Sequence, residues 1–384
     1  MNKTNIYFDN AATTKMHPKV LEKMLAYLTD NYGNASAVHS FGRKARVAIE
    51  DSREIIADFI NADPGEIYFT SGGSESNNFI INGIAKTEFS ESGRNNLITS
   101  NAEHHAVLHT FKKLQKEGFT AHFIDVDEDF IPTLENINTG INNSTSLISL
   151  MLVNNETGSL FDLSKIKNKN LYIHTDAVQG FGKIQIDVKK LGVDALSASA
   201  HKLYGPKGIG IAYVKSGTPM ESFILGGGQE RNRRAGTENV ASIVGFAEAV
   251  NIAKANMEDN FNKVSSLKTY FTDKLKSNFD DDNILINSKR NSTPYILSFT
   301  LNPDFYKSDS QAILMNLDVN GIAASSGSAC ASGTVKPSHV ILASGKSAEY
   351  ANGTLRFSFN AENTFKEVEY TIDILTRMIE KFKK

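Results

Sequence analysis

Residues 195–214 read Ala-Leu-Ser-Ala-Ser-Ala-His-Lys-Leu-Tyr-Gly-Pro-Lys-Gly-Ile-Gly-Ile-Ala-Tyr-Val. An apolar run ends in small residues, presents His201 and Lys202, and passes through a glycine-rich turn into a second β-rich run at 211–214. The pattern predicts two strands that hold the lysine in a fixed, partly dry place, where it can lose its proton and attack a carbonyl. The glycines let a planar phosphorylated molecule approach the backbone. The alternative is a solvated lysine in an ordinary hairpin.

The residues on the N-terminal side of this unit alternate between predicted strands and predicted helices. Near-continuous apolar strands separated by helices are typical of a parallel sheet with both faces covered. The predicted strands are 67–70, 96–99, 122–126, 147–153 and 171–175. Ligands of such sheets bind at the carboxyl ends of the strands. Gly73, His104, Asn155, Asp176 and Lys202 each follow a strand, so we expect them to share one site.

The stretch Ser-Gly-Gly-Ser-Glu-Ser at 71–76 joins a predicted strand to a predicted helix. A glycine-rich turn at a helix start offers free backbone N–H groups and the positive end of the helix dipole to an anion. It matches neither the P-loop nor the dinucleotide-binding fingerprint. The alternative is an ordinary turn between a strand and a helix.

Length and pattern together predict two domains. A chain of 384 residues is long enough for two sizeable cores, and from Ile284 the pattern changes to short strands mixed with helices. We therefore expect a large α/β domain at 16–256 and a smaller α+β C-terminal domain at 257–384. The segment 1–15 is expected to pack with the small domain.

Composition excludes several classes of function. A formal net charge of −2 gives no electrostatic case for nucleic-acid binding. The single cysteine, Cys330, excludes an intrachain disulfide framework and a multi-cysteine metal site, and it fits a reducing compartment. We find no signal-peptide core and no run of about 18 apolar residues, so we expect a cytoplasmic protein without a membrane span.

His105 and His109 could bind a metal at their i, i+4 spacing, but a surface histidine pair is the favoured interpretation, and no metal is expected.

Collected, the polar residues suit one task. Lys202 can form a Schiff base, and Asp176 can keep a pyridine nitrogen protonated, which makes the ring an electron sink. At these places the sequence resembles the pyridoxal-phosphate enzymes of the class V aminotransferase family, and within it the cysteine desulfurases. The motifs are Tyr-Phe-Asp-Asn-Ala-Ala-Thr-Thr at 7–14, Gly-Asn-Ala-Ser at 33–36, Thr-Ser-Gly-Gly-Ser-Glu-Ser at 70–76, Glu-His-His-Ala-Val at 103–107, Asn-Asn-Glu-Thr-Gly at 154–158, Asp-Ala-Val-Gln at 176–179, His-Lys-Leu-Tyr-Gly-Pro-Lys-Gly at 201–208, Arg-Ala-Gly-Thr-Glu-Asn at 234–239 and Ser-Ser-Gly-Ser-Ala-Cys-Ala-Ser-Gly at 325–333.

The resemblance implies the cofactor pyridoxal 5′-phosphate, fold type I and a set of residue roles. Lys202 would carry the cofactor and move protons, His104 would stack on its ring as an acid–base group, and Cys330 would be the nucleophile that takes sulfur. The implied cofactor contacts are Gly73, Ser74, His104, Asn155, Asp176, Gln179, Ser199, His201 and Lys202, with Thr237 reaching the phosphate of the other subunit of a homodimer. The implied substrate contacts are Asn34, Asn155 and Arg356, and the planar fork of an arginine suits a carboxylate.

The function implied is that of a cysteine desulfurase. L-Cysteine would become L-alanine, and the sulfur would leave as a persulfide on Cys330 for iron–sulfur scaffold proteins or for enzymes of tRNA or cofactor thiolation. The small residues around Cys330 predict a loop that swings between cofactor and acceptor. Two alternatives are a selenocysteine or cysteine-sulfinate lyase, which relies less on Cys330, and an aminotransferase, which needs no thiol loop. Residue by residue, Asp176 could instead be a turn residue, Arg356 a structural ion pair and Cys330 a small core residue.

Overall fold

The computed structural model describes residues 5–166, 170–280, 282–327 and 336–384. The strands in chain order are β1 (Ile6–Tyr7), β2 (Ile67–Thr70), β3 (Asn96–Ser100), β4 (Thr120–Ile124), β5 (Thr145–Ser149), β6 (Tyr172–Asp176), β7 (Ala195–Ser199), β8 (Gly210–Val214), β9 (Ile284–Ile286), β10 (Ile296–Leu301), β11 (Ile322–Ala323) and β12 (Thr354–Ser358). The α-helices are α1 (Pro18–Leu28), α2 (Ser40–Ile60), α3 (Gly73–Ser92), α4 (His105–Lys116), α5 (Leu134–Gly140), α6 (Val188–Leu191), α7 (Val240–Asn278), α8 (Ser310–Val319), α9 (His339–Ala343), α10 (Ala348–Asn352) and α11 (Phe365–Ile379).

A seven-stranded sheet in the order β2-β8-β7-β6-β5-β3-β4 forms the larger part of the fold. The strands from β7 to β4 are parallel, whereas β8 is antiparallel to both β7 and β2. The prediction of an α/β fold with a mostly parallel sheet is therefore confirmed. Gly210 pairs with Ser199 at the joint of β7 and β8, and a side chain there would lie 2.6 Å from the Cα of Gly72. Only glycine lets these backbone segments come so close.

Helices cover both faces of this sheet. Successive residues of a strand point to opposite faces, so neighbouring residues pack into different cores. In β5, Leu147 joins a core cluster with the buried side chains of α3 and α4. Its neighbour Ile148 joins a different cluster, which contains buried side chains of α1, α2 and α7. The continuous apolar strands therefore reflect burial on both faces.

A second, smaller core surrounds a three-stranded antiparallel sheet in the order β12-β10-β9. The N-terminal segment belongs to this core, since β1 pairs with β11 in parallel and the ring of Phe8 is fully buried there. Helix α7 is continuous through residue 256, with its first half in the core of the large sheet and its second half in the small core. The division of the chain at 256 stays a prediction, and it falls inside a helix.

Side-chain caps set where several helices begin. The Nδ1 atom of His104 accepts a hydrogen bond from the Ala106 N–H at 3.1 Å at the start of α4, and Asn239 caps α7 in the same way. Thr364 and Glu367 form a reciprocal capping box at the start of α11. Within the described residues, we find no helix that is both long and apolar enough to cross a bilayer.

Candidate active site

A cavity of about 470 Å³ lies at the carboxyl ends of the parallel strands, a volume typical of small-molecule sites. The side chains that line it come from the large sheet, the N-terminal segment and the small core. The sequence-predicted residues that it brings together are Gly73, Ser74, His104, Asn155, Asp176, Gln179, Ser199, His201, Lys202 and Arg356. Polar residues that follow separate strands therefore line one cavity.

Lys202 lies directly after β7, in the turn predicted between the two strands. Its Nζ donates hydrogen bonds to the carbonyl oxygens of Ala11 at 2.5 Å and Ala12 at 2.6 Å. Burial and the positive charge of Arg356 lower the pKa of Lys202 to about 8, against the opposing charges of Asp9 and Asp176. The amine is therefore much closer to its neutral, nucleophilic form at neutral pH than an ordinary lysine.

Asp176 is the last residue of β6, and its carboxylate is buried against the cavity. One oxygen accepts a hydrogen bond from Asn77 Nδ2 at 2.6 Å, and the other accepts from the Val178 N–H at 3.0 Å. These two hydrogen bonds fix the orientation of the carboxylate at the cavity wall. Asn77 was not predicted from the sequence, although its position one helical turn beyond Gly73 could have indicated it.

The glycine-rich turn forms the rim of an adjoining polar recess, where α3 begins at Gly73. The first N–H groups of a helix have no partner inside that helix, so they point to an anion in front of it. Ser199, His201 and Lys207 line the same recess. Burial and the charge of Lys202 lower the pKa of His201 to about 4, so the ring offers a neutral hydrogen-bonding group there. Its Nδ1 lies 3.2 Å from Thr13 Oγ1.

Arg356 reaches the cavity from β12 in the small core, with a side chain that is only 7% exposed. Its guanidinium donates to the carbonyl oxygen of Asn155 at 2.9 Å and to Asp9 Oδ1 at 2.8 Å. Its buried Nε has no hydrogen-bond partner within the described residues. Arg356 therefore forms an ion pair with Asp9 and also lines the cavity. Asp9 is a further residue that sequence reasoning missed.

A buried lysine stands behind the cavity wall. Gln179 Nε2 donates to the Ala11 carbonyl at 2.8 Å, and Gln179 Oε1 accepts from Lys183 Nζ at 3.3 Å. Burial and the charges of Lys202 and Arg356 lower the pKa of Lys183 to about 7. Two partners fix which end of the Gln179 amide carries the nitrogen. No sequence pattern indicated Lys183 beyond its position four residues after Gln179.

Two predicted residues do not line this cavity. Asn34 is exposed, and its side chain accepts a hydrogen bond from the Ser36 N–H at 2.8 Å. Thr237 is exposed and lines a separate cavity of about 180 Å³. Cys330 lies outside the described residues, so its position stays a prediction. The rings of His105 and His109 stack at 5.1 Å, and among the described residues no group of three or more His, Cys, Asp or Glu side chains could hold a metal ion.

A lysine of lowered pKa and a buried carboxylate in one cavity, with an adjoining recess at a helix start that suits an anion, fit a pyridoxal-phosphate enzyme of fold type I. Residues 6–371 match the family described as Aminotransferase class-V. A cysteine desulfurase IscS from Clostridium botulinum is 42% identical over 383 residues, which cover 99% of this chain and 95% of that protein. The corresponding protein of Methanosarcina thermophila is 38% identical and covers 98% and 93%. The chain belongs to the class V aminotransferase family.

Solved structures agree with this assignment. A structure described as a NifS-like protein superimposes with a TM-score of 0.89 at 34% identity and covers 99% of this chain and 100% of its own. A NifS-like protein from Rickettsia africae gives 0.87 at 30% identity, with 98% and 100% covered. Pyridoxal phosphate is the cofactor of this family, and the residues present fit it. The buried carboxylate of Asp176 suits a ring nitrogen, and the helix start at Gly73 suits a phosphate.

Proposed function

We propose that this protein is a cysteine desulfurase that converts L-cysteine to L-alanine and passes the sulfur on as a persulfide. The observation that carries the proposal is the cavity in which the Lys202 amine, the Asp176 carboxylate and the Arg356 guanidinium face one another. Full-length similarity to cysteine desulfurases supports the same reaction.

Different residues of the chain would bind different parts of the cofactor. Lys202 Nζ would bind it covalently, and Asp176 would pair with its ring nitrogen. Ser74, Ser199 and His201, with the Gly73 N–H, would bind its phosphate. When bound, pyridoxal phosphate supplies an electron sink that weakens bonds at the substrate's α-carbon and β-carbon.

Arg356 and Asn155 would orient the substrate. The Arg356 guanidinium lines the cavity and donates through one Nη to the Asn155 carbonyl and through the other to Asp9 Oδ1, which leaves a second N–H on each Nη for a carboxylate. His104 caps α4 through Nδ1, which leaves Nε2 available to exchange a proton in the cavity. As a free amine with a pKa of about 8, Lys202 Nζ would be suited to carry protons to and from the substrate carbons.

Sulfur transfer would use Cys330. Its thiolate attacks the substrate sulfur, a sulfur–sulfur bond forms, and the carbon–sulfur bond breaks with its electron pair left on carbon. That carbon then takes a proton, so the products are L-alanine and a persulfide on Cys330. The acceptors we propose are iron–sulfur scaffold proteins or enzymes of tRNA or cofactor thiolation. The single thiol of the chain fits a reducing, cytoplasmic setting.

We propose a homodimer with an isologous interface. Its support is an apolar surface at the start of the chain, where Leu28 is 59%, Tyr32 72% and Val38 88% exposed. Large exposed apolar areas of this kind mark interaction sites. Asn34 lies in the same stretch, and exposed Thr237 would reach the partner's phosphate. Sedimentation of an active, cofactor-loaded monomer would contradict this.

The test of the function follows absorbance, alanine and persulfide together after L-cysteine is added. The wild type should be yellow and make both products, and Lys202→Ala should lose the cofactor band. Cys330→Ser should still change its spectrum with L-cysteine but lose nearly all alanine formation. Alanine formation by Cys330→Ser at the wild-type rate would instead favour a selenocysteine or cysteine-sulfinate lyase. Turnover that depends on an added oxo acid would favour an aminotransferase.

A further inference from the structure

Two residues that flank the segment 328–335 lie against the same buried carboxyl group. Ser338, on its C-terminal side, donates a hydrogen bond from Oγ to Glu156 Oε2. Gly327, on its N-terminal side, approaches so closely that an added side-chain carbon would overlap Glu156 Oε2. Glu156 is only 3% exposed. The segment between these two residues carries Cys330.

Glu156 is itself fixed to the wall of the cavity. It lies in the loop after β5, where the Asn154 side chain accepts the Glu156 N–H at 2.9 Å and donates to the Ala102 carbonyl at 3.0 Å. Its neighbour Asn155 lines the cavity, and the Asn155 carbonyl accepts from Arg356 at 2.9 Å. The backbone of Glu156 is therefore held in the same loop as a residue that lines the cavity.

Further bonds hold the flanking residues in the same region. Ser325 exchanges two backbone hydrogen bonds with Arg356, at 3.1 and 2.6 Å. On the other side, His339 Nε2 lies 2.8 Å from the Glu103 carbonyl, next to the cavity residue His104. Ser338 also caps α9 through its side chain. Glu156 contacts both flanks at once, through the Ser338 hydrogen bond and the close approach of Gly327.

We infer that Glu156 is a positioning residue that ties both ends of the Cys330 segment to the cavity wall and so limits where the thiol can reach. The inference rests on the proposed sulfur transfer. A segment with fixed ends keeps a reactive group at a higher effective concentration than one with a free end, and a displacement of about 1 Å can cost roughly a hundredfold in rate. Glu156 does not touch the reacting atoms, so substrate binding should not need it.

The test compares Glu156→Ala, Glu156→Gln and Gly327→Ala in two assays. In single-turnover alanine formation, Glu156→Ala should be at least about tenfold slower, with the dissociation constant for L-cysteine, followed by absorbance, within about twofold of wild type. Glu156→Gln should restore most of the rate, since the amide oxygen can accept the Ser338 bond. Gly327→Ala alone should slow the reaction, because its added carbon would overlap Glu156 Oε2. It should add little in the Glu156→Ala background, where the overlapping carboxyl group is gone.

The second assay needs neither cofactor nor turnover. Cys330 is the one cysteine of the chain, so iodoacetamide labelling reports on that segment alone. Labelling should be at least about threefold faster in Glu156→Ala than in wild type and near the wild-type rate in Glu156→Gln. Glu66→Ala is the matched control, because Glu66 is buried and accepts backbone hydrogen bonds at 2.7 and 3.0 Å away from the cavity. It should leave both rates unchanged.

The two proposals can fail separately. Unchanged labelling and transfer in both Glu156→Ala and Gly327→Ala would overturn the positioning role, and so would an equal loss of substrate binding and transfer. A wild type that makes no alanine from L-cysteine would overturn the desulfurase function, while the labelling rates would still decide whether Glu156 ties the segment.

Discussion

Replacing Lys183 by methionine should stabilise the fold at neutral pH while weakening the active site. The lysine is 7% exposed, with Nζ 3.3 Å from Gln179 Oε1 and 5.7 Å from the centre of the Tyr295 ring. Burial and two nearby positive charges lower its pKa from 10.5 to about 7. The fold therefore disfavours the protonated amine, and an apolar side chain of similar length removes that cost.

The size and pH dependence of the gain follow from linkage. At about 1.4 kcal/mol per pH unit, a pKa of about 7 in place of 10.5 corresponds to about 5 kcal/mol. Below pH 7 the amine is protonated in both states, so the folded state bears the full cost. Between pH 7 and 10.5 the unfolded state alone binds the proton, and the cost falls to zero as the pH rises. The substitution also removes a hydrogen bond and a ring contact, which offsets part of the stabilisation. We therefore expect the free energy of unfolding to rise by about 2–5 kcal/mol at pH 6–7.

The same substitution should weaken cofactor binding, because Gln179 loses the donor that fixes its amide at the cavity wall. We expect roughly tenfold weaker binding of pyridoxal phosphate to the apoprotein, as for one lost hydrogen bond. Fluorescence titration measures the affinity, and denaturant unfolding of the apoprotein at pH 6, 8 and 10 measures the stability. Lys268→Met is the control, since Lys268 has a pKa lowered by burial to about 8 and does not line the cavity.

Two results would refute this reasoning. The first is a Lys183→Met protein whose unfolding free energy follows pH in parallel with that of the wild type, because the titration would then not belong to Lys183. The second is an unchanged affinity for pyridoxal phosphate, which would show that Lys183 does not affect cofactor binding through Gln179. Lys268→Met should leave the cofactor affinity unchanged. If both variants bound the cofactor equally weakly, the loss of the Lys183–Gln179 hydrogen bond would not explain the effect.

Three other substitutions test the packing and the site. Phe8→Ala should cost about 3–5 kcal/mol in denaturant unfolding, because the fully buried ring packs against three other phenylalanines of the small core; an unchanged midpoint would contradict this. Glu230→Gln should cost about 3–5 kcal/mol, since buried Arg53, paired with it at 2.8 Å, would keep only the partly exposed Glu50 as a charged partner. Asn77→Ala should weaken cofactor binding roughly tenfold, because Asp176 loses its 2.6 Å donor, and titration of the apoprotein checks this.

Much of the fold could be predicted because the inner parallel strands are buried on both faces. Their sequences are therefore rich in apolar and small residues, and the polar residues that follow them mark the cavity. The ends of the strands were predicted less accurately. The run predicted as a strand at 147–153 leaves the regular ladder after Ser149, although Leu152 N–H still donates to the Asp176 carbonyl at 3.0 Å. Apolar composition cannot distinguish such an extended segment from a strand.

The groups missed from the sequence act through contacts between distant parts of the chain. Asn77 is important because it reaches Asp176, 99 residues away, and Asp9 because it reaches Arg356, 347 residues away. Neither lies in a spacing that predicts chemistry. Lys183 is harder still, since its effect comes from burial, which depends on how the turn after β6 packs under the small core.

The N-terminal segment gives a physical reason for the two cores to function as one site. The Ala11 carbonyl accepts from both Lys202 and Gln179, while the Ala11 N–H donates to Ser358 Oγ at 2.8 Å in the small core. The Thr14 hydroxyl donates to the His201 carbonyl at 2.9 Å. A shift of the small core against the large sheet would therefore pull on the carbonyl groups that hold the Lys202 amine. Because Arg356 moves with the same core, substrate binding and the position of this lysine should be coupled through a few residues of backbone.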